Sequence, residues 1–138
     1  MAITTAICNS FKKEILEGVH ESTDTYKIAL YTSNATLGAS TTAYSATHEV
    51  ANGSGYTTGG ATLTGLATGL DGSTAYLTFS DPQWTEASIT ARGCLIYNSS
   101  QSNKAVAVFN FGQDVTSTNG TFTVDFPAAG PSSLIRIA

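Results

Sequence analysis

The chain changes hydrophobic period near Thr25. Before it, Phe11, Ile15, Leu16 and Val19 recur on one stripe at helical spacing, while Lys12, Lys13, Glu14 and Glu17 face away. This predicts a short helix over Ser10 to Val19, with Asn9 or Ser10 as its N-cap and its end near Gly18 to Ser22. Ile7 lies one turn before Phe11 and extends the stripe. A helix this short depends on packing rather than propensity.

From Thr25 onward the period is two. Tyr26 to Thr32 alternates and is rich in strand formers. A polar stretch from Ser33 to Gly60 follows, carrying Asn52-Gly53-Ser54-Gly55-Tyr56 and Gly59-Gly60. It exceeds an ordinary loop, and such segments are commonly functional arms. Thr41 to Val50 within it reads as an edge strand. Ala61 to Leu70 reads as a strand broken by Gly65 and Gly69, joined through Asp71-Gly72 to Thr74–Phe79 as a hairpin. Ile89 to Tyr97, Ala105 to Phe111, Thr121 to Phe126 and Leu134 to Ala138 complete the set. Ala105 to Phe111 is apolar on both faces and is expected in the centre of a sheet. About seven short strands separated by turns predict an all-β fold, an antiparallel β-sandwich of jelly-roll or Ig-like type with a short N-terminal α-helix. One domain is expected over 1–138, with a helical segment over 1–24, a sandwich over 25–138 and a polar arm over 33–60.

Composition narrows the function. The chain has 138 residues, of which 41% are hydrophobic and only 12% charged, enough for one core but poor in titratable groups. Its net charge of −4 argues against nucleic acid, because neutralising phosphates needs clustered Lys or Arg and only Lys12 and Lys13 adjoin. No run of about 18 apolar residues occurs, so no membrane helix is expected. The N-terminal stretch from Met1 lacks the basic region and long apolar core of a secretion signal, which places synthesis in the cytoplasm. Cys8 and Cys94 are then expected as reduced thiols, Cys94 as a small buried hydrophobe. The Asn-X-Ser/Thr matches at Asn34, Asn52, Asn98 and Asn119 reduce to polar turns in that setting.

No constellation of catalytic groups emerges. His20 and His48 have no carboxylate or cysteine partner at a recognisable spacing, and Ser88, Ser99 and Ser100 lack a nucleophile-elbow context. Gly53, Gly55, Gly59 and Gly60 do not build a phosphate loop, and Asp71 and Asp114 match no calcium loop. Asp81 and Glu86 flank Trp84 in the manner of a sugar site, but Asp81-Pro82 reads more simply as a turn and Trp84 as a core or interface anchor. Arg92 and Arg136 sit within apolar strands, where each either faces solvent or pairs with an acid such as Asp125 or Glu86, or with a neighbouring subunit. The expectation is no enzyme, no metal and no cofactor.

Five stretches in order carry a resemblance. They are Phe11-Lys12-Lys13-Glu14-Ile15-Leu16, Tyr26 to Ser33, Tyr56-Thr57-Thr58-Gly59-Gly60, Ile89 to Tyr97 and Ala105 to Gly112. The likeness they carry runs over nearly the whole chain, which resembles small virion structural proteins of tailed bacteriophages. The resemblance implies a capsid cement or decoration protein that binds the exterior of the mature head. Its implied partners are the major capsid protein and further copies of itself, a trimer being favoured, with neither nucleic acid nor membrane. A minor tail, fibre or baseplate component that recognises the host is the alternative. A carbohydrate-binding module stacking sugars on Trp84 and Tyr97 is the second. The resemblance assigns no binding role to any residue. The contact elements are expected in Met1 to Val19 and in the arm, with Phe11, Ile15, Tyr44 and Tyr56 as anchors, because aromatic and aliphatic groups dominate hot spots.

Overall fold

The computed structural model describes residues 2–127 and 135–137. In chain order the elements are β1 (Ala6–Ile7), α1 (Asn9–Leu16), β2 (Tyr26–Tyr31), β3 (Ala61–Thr62), β4 (Ala67–Asp71), β5 (Thr74–Thr78), β6 (Gln83–Ala87), β7 (Thr90–Asn98), β8 (Lys104–Thr116), β9 (Gly120–Thr123) and β10 (Ile135–Ile137). The protein is mostly β, sandwich-like, with antiparallel sheets and one short N-terminal helix, as the alternating pattern predicts. The sheets have the orders β1-β8-β7-β2-β3, β10-β5-β4 and β6-β9.

The first sheet forms around β7. Its residues Ala91 and Gly93 to Asn98 are buried, so β7 is covered on both faces. Pairing sets the faces: Tyr31 lies opposite Gly93, Ala29 opposite Leu95 and Lys27 opposite Tyr97, while Leu30 lies opposite Cys94 and Ile28 opposite Ile96. Gly93 is required by close approach, because a Cβ there would meet the Phe109 carbonyl at 2.5 Å and the Ile3 side chain at 2.8 Å. β8 is longer than its apolar part. Ala91 pairs with Val115 and Gly93 with Asn110, so Arg92 alone faces 111–114. Arg92 Nε donates to Asp114 Oδ1 at 2.9 Å across that bulge. Its partner is therefore Asp114, not Asp125 or Glu86, because the bulge carries Asp114 back over the strand.

The helix starts one residue earlier than expected and stops three residues sooner. Its N-cap position is Cys8, which makes no side-chain cap bond, so neither Asn9 nor Ser10 caps it. The start is fixed from outside: Cys8 N–H donates to the Val106 carbonyl at 3.0 Å and Asn9 N–H to the Ala39 carbonyl at 2.8 Å. Gly18 at φ +74° ends it. The buried stripe is Phe11 with Ile15, while Leu16 is 89% exposed.

Other elements differ from the pattern for local reasons. The expected strand over Ala61 to Leu70 splits around Gly65 at φ +68° into β3 and β4. β6 went unpredicted because Glu86 adopts φ +48° and shifts the register between Trp84 and Ala87, which breaks the alternation. The expected edge strand over Thr41 to Val50 is reduced to single bridges at Ala43 and Glu49. Of the closing strand, Ile135 to Ile137 are observed, and Leu134 and Ala138 lie outside the described residues.

One glycine decides how the arm returns to the sheet. Gly60 sits at φ +84°, and a Cβ there would lie 1.8 Å from the Ile28 carbonyl oxygen. Gly60→Ala is expected to cost about 3 kcal/mol or more, because both the backbone and β2 must move. Gly18→Ala, strained in φ but with open space around it, is expected to cost about 1 kcal/mol. Thermal unfolding of the two variants checks the ordering, and equal losses would refute the close-approach argument.

Candidate functional site

Three groupings of functional side chains stand out, and the first lies under the polar arm. The polar arm expected over 33–60 is fastened across the first sheet. Leu37 N–H donates to the Ala2 carbonyl at one edge, Tyr44 N–H to Asn103 at the start of β8, and Val50 N–H to Leu30 at the opposite edge. Glu49 is the knot. Its Oε1 accepts from the Tyr44 hydroxyl at 2.5 Å, and its Oε2 accepts from the Tyr56 hydroxyl at 2.5 Å and from Gly59 N–H at 2.8 Å. Tyr56 oxygen also accepts from Leu30 N–H at 2.9 Å, a bond from the sheet itself. Tyr97 donates to the Gly59 carbonyl at 2.6 Å and stacks on Tyr44 with ring centroids 4.6 Å apart. Tyr31 donates to the Ser45 carbonyl at 2.7 Å.

These tyrosines are held neutral. Burial raises Tyr97 to about 12 and drives Tyr31, Tyr44 and Tyr56 higher still. The hydrogen bonds to Glu49 add to the rise at Tyr44 and Tyr56, since a phenolate cannot donate to a carboxylate. Two neutral phenols closed on one carboxylate, with two more tied to arm carbonyls, make a structural clasp.

The second grouping clamps the end of α1 to the end of β7. The buried His20 bridges Glu14 Oε1, 2.8 Å from its Nε2, and Asn98 Nδ2, 3.0 Å from its Nδ1. Asn98, fully buried, also donates to Asp24 Oδ2 at 2.8 Å. That bond holds the Asp24 carboxyl below its ordinary range, with Glu21 N–H and Gln101 helping. Sequence reading missed this network, because its histidine and asparagine are 78 positions apart and no spacing rule links them. The two cysteines are separate free thiols. Burial raises Cys8 to about 11 and Cys94 to about 12, which keeps both protonated and unreactive. Among the described residues no three His, Cys, Asp or Glu side chains come together in a way that holds a metal.

The third grouping is apolar. A cleft of about 590 Å³ opens between α1 and the β10-β5-β4 sheet, lined by Phe11, Ile15, Leu70, Leu77 and Ile137 among others. A second, of about 300 Å³, continues past Ile7, Leu16 and Ile135. On their rims Leu16 is 89%, Leu70 74% and Ile137 57% exposed, the three most exposed large aliphatics among the described residues.

The structure separates the four expected anchors. Phe11 and Tyr56 are buried in the chain's own core, at 4% and 2% exposure, so neither projects as an outward anchor. Tyr44 is half-buried and committed to Glu49 and Tyr97. Ile15, only partly buried, lines both clefts beside the buried Phe11. Trp84 and Tyr97 are likewise buried, Trp84 packing 6.0 Å from Tyr56 and 6.1 Å from Phe122, so they offer no platform to a sugar. Asp81 accepts from Phe126 N–H and serves its turn. The outward residues Leu16, Leu70 and Ile137 were missed; a single exposed aliphatic carries no sequence signal that distinguishes it from core. Comparison with protein-family models, curated proteins and solved structures finds no match to the chain.

Glu49→Ala strands two hydroxyls and an amide without an acceptor and is expected to cost about 2–4 kcal/mol by chemical denaturation. Glu49→Gln should cost less, since its oxygen can serve Tyr56 and Gly59 while the Tyr44 hydroxyl turns to accept. Equal losses would show that the charge, not the acceptors, holds the clasp.

Alkali should open the same clasp. The tyrosines are protonated in both states below pH 10. Above it the unfolded chain ionises first, so stability is intact below about pH 10. It then falls by up to about 1.4 kcal/mol per pH unit for each buried tyrosine as pH rises toward the folded values. The 295 nm phenolate absorbance should rise together with loss of far-UV circular dichroism. Ionisation of these residues in a folded protein would contradict the clasp.

Proposed function

We propose that this chain is a capsid cement protein of a tailed bacteriophage, which binds the exterior of the mature head and bridges subunits of the major capsid protein as a homo-oligomer. The observation that carries the reading is the apolar surface around α1. Leu16 and Ile137 stand exposed beside the two clefts, while the polar clusters of the molecule are turned inward on one another. Apolar exposure of this kind marks a contact surface. The partner is inferred from the resemblance of the chain's strand patterns, in their order, to small virion structural proteins.

The mechanism is linkage. A protein that binds the expanded shell and not its precursor stabilises the expanded state by mass action. The fastened arm suits this, because a preformed surface loses little conformational entropy on binding. The contacts fall on Ile15, Leu16 and Ile137 rather than on Phe11 and Tyr56. The head, not the tail, is the site we assign.

Co-sedimentation with purified expanded heads tests the reading. The protein should pellet with them at saturable stoichiometry. Leu16→Glu, exposed and therefore harmless to folding, should weaken binding by about tenfold or more, in line with loss of a hot spot. Immunogold label over the tail tip of virions, or binding that ignores Leu16→Glu, would contradict it.

A further inference from the structure

Among the described residues the three-stranded sheet has one edge open. Its β10 edge faces α1 across the clefts, since Phe11 and Ile15 line them together with Ile135 and Ile137. At the other end of the strand order, β4 pairs among the described residues only with β5. Edge strands usually carry Lys, Pro or a bulge that deters pairing with another chain. β4, Ala67-Thr68-Gly69-Leu70-Asp71, has none of these and runs in unbroken register with Thr74–Thr78.

The hairpin fixes which groups face that edge. Asp71 pairs with Thr74 across the two-residue connection Gly72-Ser73, with Gly72 at φ +60° as in a type II′ turn. Such a hairpin closes on a hydrogen-bonded pair, so Gly69–Tyr76 and Ala67–Thr78 are the next hydrogen-bonded pairs. The N–H and C=O of Thr68 and Leu70 therefore point away from β5.

We propose that β4 is the seam of a two-fold homodimer, adding antiparallel to β4 of a second copy with the axis at Gly69. This register sets Thr68 opposite Leu70 of the second copy twice over, and the two pairs make about four backbone hydrogen bonds. An axis at Leu70 would set Thr68 against Gly72 in the turn, and an axis at Thr68 would need Leu66, outside the strand. The Gly69 register also sets each Asp71 opposite Ala67, with the two carboxylates at opposite ends of the seam. Where the backbones come closest there is no side chain: Tyr76 already covers Gly69, its hydroxyl oxygen 2.5 Å from where a Cβ would sit. Thr68 and Leu70 share a face and both line the large cleft. The two Leu70 side chains, 74% exposed in one copy, become diagonal neighbours and leave water together. Because the same strand serves both sides, the contact is isologous and closes with two copies, whereas the phage resemblance favours three. The inference stands on the strand edge alone and is independent of head binding.

Light scattering coupled to gel filtration tests it, with amide exchange as the second readout. The wild type should run at twice the 14.3 kDa chain mass. Thr68→Pro removes an outward N–H without breaking a bond inside the chain, and should give a monomer with unchanged far-UV circular dichroism; Leu70→Lys should do the same. In the wild type, Thr68 and Leu70 amides should gain protection as concentration rises through dimerisation, while Gly69 and Asp71 amides, bonded to β5, stay protected throughout. A monomer at high concentration, a trimer, or an oligomer indifferent to Thr68→Pro with Thr68 and Leu70 still exchanging fast would each overturn the proposal.

Discussion

A single carboxylate holds the longest irregular segment of this protein in place. Glu49 gathers two tyrosine hydroxyls and a backbone amide, and one of those hydroxyls in turn caps a backbone N–H of β2. Without that knot, the connection between β2 and β3 would be a polar chain with little apolar surface of its own to bury, and its conformational entropy would favour release. With it, Tyr31, Tyr44, Tyr56 and Tyr97 serve as struts between sheet and arm. The sheet beneath can then be apolar on both faces, because the arm covers one of them.

That constraint also decides what the outside of the molecule offers. Three of the four expected contact anchors, Phe11, Tyr44 and Tyr56, are used internally, and the His20–Asn98–Asp24 network fixes the helix end in the same way. Two features are left facing outward: the apolar clefts beside α1, and the unprotected edge of β4. Both belong to the same small sheet, since Thr68 and Leu70 of β4 also line the large cleft, and a strand-paired dimer would present two α1 surfaces.

The period-two pattern made most of the fold legible. Strands survived where alternation was unbroken, as in β2 and β7, and were lost where a residue at positive φ shifted the register, as Glu86 does in β6. The polar end of β8 was hidden because 111–114 bulges around Arg92 rather than alternating. The site was far less legible. Tyr44 and Tyr56 stood out as large aromatics in a polar stretch, but aromatics there are equally suited to gripping a neighbour or the chain's own sheet. Only the position of Glu49 between them decides, and five- and seven-residue spacings follow no secondary-structure period. The exposed positions Leu16, Leu70 and Ile137 depend on the packing of distant strands, which local pattern does not encode.

The most direct test of this account is native-state hydrogen exchange at the amides the arm fastens: Leu30, Val50 and Gly59. If the Glu49 clasp makes arm and sheet one cooperative unit, these amides exchange only by global unfolding, with the same free energy as the centre of β7. If they exchange orders of magnitude faster while β7 stays protected, the arm is a separate, detachable element and the account fails at its centre.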